Sequence, residues 1–160
     1  MSAEIERLLG DIRPGPCERG AVGRRELRPI SRLDGDRRRD FYDPERAALV
    51  PMGFCYPGRR PGGELPPRPE CAPLWHARLF AALPNLRVTV HAGAYAHAGY
   101  LRHRRGVDMT ETARGFRACL PAHFTLPHPS WRSAIWAGEN PWFEAKALPA
   151  LSDAVSEALG

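Results

Sequence analysis

The sequence contains no long apolar segment. No run of about 18 or more apolar residues, the length that a membrane-spanning helix needs, occurs in its 160 residues. Residues 1–10 carry acidic side chains and no hydrophobic core segment, which argues against a signal peptide. We therefore expect a soluble cytoplasmic protein without membrane contacts. The length suits a single domain over residues 1–160.

Lysine is almost absent, since Lys146 is the only one and arginine supplies the other basic side chains. The formal net charge is +5 at pH 7. A basic balance is compatible with a phosphate-bearing partner such as a nucleic acid. A GC-rich coding sequence also raises arginine, together with alanine, glycine and proline, so composition leaves both explanations open.

Cysteine is scarce as well, with four in the chain: Cys17, Cys55, Cys71 and Cys119. In a cytosolic protein, cysteines at such spacings are thiols or metal ligands more often than disulfide partners.

The hydrophobic pattern predicts alternating strands and helices. Strands are predicted over residues 47–52, 86–91 and 123–126, and helices over residues 2–12, 72–83, 94–101, 109–120 and 140–160. Asp108 and Glu111 form a capping-box pair, and Pro149 is expected to kink the last helix. Residues 13–40 lack hydrophobic periodicity and are predicted to be irregular.

This order of elements predicts an α/β fold with three layers, in which helices cover both faces of a short, mostly parallel sheet. In such folds the functional loops leave the carboxyl ends of the strands. The corresponding loops are residues 53–69, 91–95 and 127–139, which we expect at one edge of the sheet.

Four segments combine proline with apolar residues or with glycine, cysteine, histidine or serine. They are residues 41–44, 51–58, 66–71 and 126–130, the last ending in His128, Pro129 and Ser130. With residues 140–144 downstream, these segments resemble the uracil-DNA glycosylase superfamily, in particular its bacterial iron–sulfur branch. The resemblance covers residues 41–160.

The resemblance implies a hydrolase of base excision repair that acts as a monomer on uracil-containing DNA. His128 would be the catalytic residue, donating a hydrogen bond to the departing uracil anion, and such preorganised donors are worth roughly 10²–10³ in rate. Pro129 and Ser130 would form the rigid turn that binds a DNA phosphate, and Arg132 would add a phosphate contact.

The resemblance also implies a [4Fe–4S] cluster, for which Cys17, Cys55 and Cys71 match ligand positions. Four thiolates are normally required, but Pro14 stands where the remaining cysteine is expected, and Cys119 lies on a predicted helix. A labile or incomplete cluster, a zinc ion bound by three cysteines with His76, and a lost cluster with buried thiols all remain open.

The family's first motif is missing. In relatives a buried strand ends in a Gly-x-x-Pro-Gly loop that positions the hydrolytic water, and no such segment lies between Cys17 and Phe41. The chain is therefore expected to be a divergent member without the family's first strand. Asp34, Asp36 and Asp40 are the candidate replacements for the water-positioning group. Three hypotheses follow: a glycosylase, a catalytically inactive DNA-binding remnant, or a metal-binding module.

Overall fold

The structure is a computed structural model, and it describes Asp43, residues 45–101 and residues 108–160, apart from the side chains of Trp131 and Arg132. These residues fall into two compact units, the first ending at Leu86 and the second beginning at Arg87. The predicted helix over residues 2–12 and the irregular segment 13–40 lie outside the described residues. The single domain stays a prediction. No helix in the described part of the chain is long and apolar enough to cross a membrane.

The first unit contains one hairpin and one helix. Strands β1 (Arg59–Arg60) and β2 (Gly63–Glu64) pair antiparallel, and helix α1 spans Cys71–Ala81. Gly62, with φ of 96°, follows Pro61 in the hairpin turn. Proline and then a left-handed glycine suit the two central positions of a type II turn. Helix α1 confirms the helix predicted over residues 72–83.

The buried strand predicted over residues 47–52 is wrong. This segment forms no strand, and Leu49 is 59% exposed. A buried strand needs neighbours for its backbone groups, and β1 and β2 pair only with each other. A side chain of α1 binds the segment instead. The buried His76 ring places Nε2 3.0 Å from the carbonyl oxygen of Pro51 and packs edge-on against Phe54.

The part of the second unit that the structure describes, residues 87–101 and 108–160, is built on two parallel strands. Its elements are β3 (Thr89–Ala92), α2 (Ala94–Tyr100), α3 (Met109–Arg114), a 3-10 turn (Phe116–Cys119), β4 (His123–Leu126), α4 (Trp131–Glu139), a π-helical turn (Phe143–Ala147) and α5 (Leu148–Leu159). In the register of the sheet, His91 lies opposite Thr125, and Ala92 lies opposite Leu126. The predicted α/β class with parallel strands is therefore confirmed. The loss of a first strand concerns residues outside the described ranges.

Helices cover both faces of this sheet. Alternate residues of β4 point to opposite faces, so they contact different helices. On one face, Phe124 and Leu126 pack into the core of the unit. The other members of this core cluster are Phe116, Phe143, Ala147 and Leu151. On the opposite face, the fully buried Thr125 donates its hydroxyl to the carbonyl oxygen of Thr112 in α3 at 3.1 Å. This bond fixes α3 against β4.

Capping sets the start of α3 as predicted. The Asp108 carboxylate accepts the backbone N–H of Glu111 at 2.8 Å, which satisfies one of the free donors of the first turn. The predicted helix over residues 109–120 is interrupted at Gly115, however, and the chain continues as the 3-10 turn. Glycine is a poor helix former, which accounts for a break at this point.

The C-terminal region differs from its prediction in two ways. Helix α4 occupies most of residues 127–139, for which the sequence predicts a loop. Pro149 does not mark a simple kink, since it lies in the first turn of α5, directly after the π-helical turn. Proline is tolerated in a first turn because its missing N–H would find no partner within the helix there.

Candidate functional site

The candidate site lies where β3 and β4 end. The N–H of Gly93 extends the ladder by donating to the carbonyl oxygen of Leu126 at 2.9 Å. Beyond β4, Pro127 is buried and His128 is exposed. The loops at residues 91–95 and 127–139 therefore meet at this edge, as predicted. Residues 53–69 belong to the first unit and follow no strand of this sheet.

Gly93 and His128 are in direct contact. A Cβ atom placed on Gly93 would lie 3.0 Å from the Cβ atom and 3.4 Å from the Cδ2 atom of His128. Gly93 also has φ of 87° and ψ of 168°, a conformation that is essentially restricted to glycine. The histidine therefore lies over a backbone position that accepts no side chain.

Two donors bind the main-chain carbonyl of His128. The backbone N–H of Ser130 donates to it at 2.8 Å, and the hydroxyl of Ser133 donates to the same oxygen. A bond between residues two apart closes a γ-turn, with Pro129 at its centre. The restricted φ of proline matches that of an inverse γ-turn. A turn is therefore present at these residues, as predicted.

The serines of this turn lie at the amino end of α4. Ser130 is the N-cap residue, and its Oγ atom lies 3.4 Å from Oγ of Ser133 without bonding to the helix backbone. Helix amino ends carry free N–H groups and a partial positive charge, both of which favour anionic oxygens. Arg132 lies in the same first turn, and its side chain is not among the described parts of the chain. The backbones of the predicted phosphate-binding residues are thus neighbours at this helix end.

An aromatic anchor holds α4 in place. Trp136 donates its indole N–H to the hydroxyl of Thr110 in α3 at 2.8 Å. Its ring packs against Trp142 and Phe143, with centroids 5.8 and 5.2 Å away. Asn140 donates its side-chain amide to the Trp136 carbonyl and helps to end the helix. These contacts explain why the segment is helical although its own pattern predicts a loop.

A group of histidines lies beneath the site, on the sheet face opposite Phe124. His91 is buried, stacks on Tyr100 of α2 with centroids 5.3 Å apart, and has its carbonyl bound by the Nε2 atom of His97 at 3.0 Å. Burial, then the nearby His123 and His97, lowers the pKa of His91 to about 4. Burial also raises the pKa of Tyr100. His91 is therefore neutral at pH 7.

Two of the three predicted metal ligands lie in the described part of the chain. Cys55 is exposed, Cys71 is buried at the start of α1, and Cys17 lies outside the described residues. Within the described ranges, no three or more His, Cys, Asp or Glu side chains are grouped to hold a metal. Cys119 is buried in the second unit, and His76 Nε2 already contacts Pro51. These donors do not fit a complete four-thiolate cluster.

Two residues of the site do not stand out in the sequence. In the sequence, Ser133 is one hydroxyl residue of a predicted loop, and Gly93 follows the end of a predicted strand. The signal for Ser133 is its spacing of three from Ser130, which places both hydroxyls on one helical turn. For Gly93 no signal in the sequence indicates contact with His128, because that contact depends on the pairing of β3 with β4.

A comparison with known protein families supports the resemblance. The family model described as the uracil DNA glycosylase superfamily matches residues 22–152. The match thus begins before residue 41, where the recognisable motifs start. It includes β3, β4 and all residues of the candidate site.

Proposed function

Because the chain belongs to the uracil-DNA glycosylase superfamily, we propose that it hydrolyses the N-glycosidic bond of uracil in DNA, the first step of base excision repair. One observation carries the proposal. The exposed His128 lies at the carboxyl ends of two parallel strands, with its main chain fixed by Ser130 and Ser133. Ligands bind at this edge in open α/β sheets.

In the proposed reaction, the bond between C1′ and the uracil nitrogen breaks and its electron pair leaves with the base. A water oxygen adds to C1′ and releases a proton to the solvent, and protonation of the departed uracil anion balances the charge. His128 donates a hydrogen bond to the oxygen on which the negative charge of the base develops. Pro129, Ser130 and Arg132 bind the backbone phosphate, which offsets the few kcal/mol that extrusion of the nucleotide costs.

The test is excision from a labelled oligonucleotide that contains one uracil, in single- and double-stranded form, with a thymine oligonucleotide as the substrate control. We expect excision by the wild-type chain and a loss of roughly 10²–10³ in rate for His128→Ala. Ser156→Ala, an exposed change in α5, is the matched protein control. Excision that survives in His128→Ala at the wild-type rate contradicts the assigned role.

The missing Gly-x-x-Pro-Gly motif favours a second candidate, a DNA-binding protein that does not excise. Such a protein would bind DNA with an affinity that falls steeply with salt, because phosphate contacts release counterions. Folded wild-type protein that binds DNA and leaves uracil in place would establish this second function and reject the first.

We further propose that the chain belongs to the iron–sulfur branch and acts as a cytoplasmic monomer, with Cys17, Cys55 and Cys71 as metal ligands. Three thiolates suit a labile cluster or a zinc ion better than a stable [4Fe–4S] cluster. Iron and zinc analysis of the anaerobically purified chain, with Cys71→Ala alongside, tests the ligands, and light scattering tests the monomer. No step of the proposed reaction passes through this metal.

A further inference from the structure

The main chain of His128 is bound more firmly than a loop residue requires. Its carbonyl oxygen accepts both the N–H of Ser130 and the hydroxyl of Ser133. The second donor comes from inside the first turn of α4, so the bond ties the loop to a helix. Trp136 in turn ties that helix to Thr110 of α3.

The other side of His128 is bounded by the end of β3. Gly93 is buried, and the absence of a side chain there lets the histidine approach to van der Waals contact. The imidazole itself is exposed and therefore open to a ligand. The backbone that carries the imidazole thus lies between the end of β3 and the first turn of α4.

We propose that Ser133 and Gly93 are positioning residues for His128: Ser133 fixes its main chain, and Gly93 provides the space in which its side chain lies. This inference rests on the proposed function. A group that donates to a developing anion must be held to within a fraction of an ångström. Ser133 and Gly93 therefore act on the rate of bond cleavage and not on DNA affinity.

The experiment separates these two quantities. Single-turnover excision at saturating DNA and the dissociation constant for DNA are measured for wild type, Ser133→Ala and Ser133→Thr. We expect Ser133→Ala to lower the cleavage rate by roughly 10- to 100-fold with a change in DNA affinity of less than about twofold. Ser133→Thr keeps the hydroxyl and is expected to restore most of the rate.

The matched controls come from elsewhere in the second unit. Ser156 makes the same kind of bond, donating its hydroxyl to the carbonyl of Ser152 at 2.8 Å in α5, so Ser156→Ala is expected to change neither quantity. For the glycine, Gly93→Ala is compared with Gly138→Ala, since a Cβ on Gly138 meets no atom within 4 Å. If Gly93→Ala does not fold, the serine variants still decide the role of Ser133.

A second readout does not depend on catalysis. The ring signals of His128 are followed by NMR with isotope-labelled histidine and assigned by their loss in His128→Ala. We expect them to shift and broaden in Ser133→Ala, to recover in Ser133→Thr and to stay unchanged in Ser156→Ala. If wild type excises no uracil, the proposed function fails, but these signals still test the positioning. Unchanged His128 signals in Ser133→Ala, or a Ser133→Ala effect on DNA affinity alone, overturn the inference.

Discussion

The Nε2 atom of His91 lies 3.1 Å from the Nδ1 atom of His123, so one hydrogen bond joins the two rings across neighbouring strands. The two residues are diagonal neighbours on the same face of the sheet, since His123 is opposite Thr89 and His91 is opposite Thr125. One proton suffices for this bond. Protonation of both rings would leave no lone pair at this contact and would place two positive charges together, one of them on the buried His91.

We predict that His91 makes the folded chain less stable in acid. The pKa of His91 is about 4 in the folded chain, against the ordinary histidine value of 6.5 that applies once the chain unfolds. Between these values the unfolded state binds more protons, so the free energy of unfolding falls as the pH falls. We expect this group to contribute a loss of about 2–3 kcal/mol between pH 7 and pH 4, measured by urea unfolding at a series of pH values.

His91→Phe is the informative variant for this prediction. It keeps an aromatic ring against Tyr100 and removes the titrating group, so the decline between pH 6.5 and 4 is expected to become shallower. Ser156→Ala, an exposed change that removes no titratable group, is expected to follow the wild-type curve. Equal slopes for His91→Phe and wild type would show that the pair does not govern acid stability.

Where periodicity and local chemistry agree, the sequence predicts the fold well. Helix α1, strand β4 and the Asp108 cap are all confirmed, because each has its signal within a few residues. The failure at residues 47–52 has the opposite cause. A short apolar run indicates burial without identifying a partner, and Leu49 is exposed where no strand pairs with it. Helix α4 escapes prediction because Trp136 stabilises it through contacts with distant residues.

In the candidate site, too, local features are predicted from the sequence, and contacts between distant segments are not. His128, Pro129 and Ser130 are predicted from a local motif, and in the structure they form one hydrogen-bonded turn after β4. The position of His128 next to Gly93 depends on a parallel pairing between segments over 30 residues apart in the sequence. Motif spacing contains no information on that register, so only the fold reveals which backbone position faces the histidine.

The core of the second unit supplies a stability prediction. Leu151 is 4% exposed and packs in the cluster that contains Phe124. Leu151→Ala is expected to lower the free energy of unfolding by about 2–5 kcal/mol, because it removes buried methyl groups and leaves a cavity. Leu159→Ala, in the partly exposed last turn of the same helix, should cost much less in the same urea titration. Similar costs for both variants would contradict the observed packing of α5.

Arg132 supplies a prediction about DNA binding. If it contacts one phosphate, Arg132→Ala is expected to reduce the slope of log K against log salt concentration by about 0.9, in fluorescence anisotropy titrations with labelled DNA. The suitable control is Arg78→Ala, since the Arg78 guanidinium already stacks over the ring of Trp75 at 5.3 Å. A weaker affinity with an unchanged slope would show that Arg132 acts on the protein and not on a phosphate.

The indole bond that anchors α4 is testable with a double-mutant cycle. Trp136→Phe keeps a ring against Phe143 but removes the N–H that Thr110 accepts, and Thr110→Val removes the acceptor with little change of shape. Each single change is expected to cost about 1 kcal/mol in urea unfolding, beyond the packing lost with the larger ring. The double variant should cost less than the sum, because both changes remove the same bond. Strict additivity would show that the two groups are uncoupled, and the anchoring of the helix that carries Ser133 would then rest on the packing of Trp136 alone.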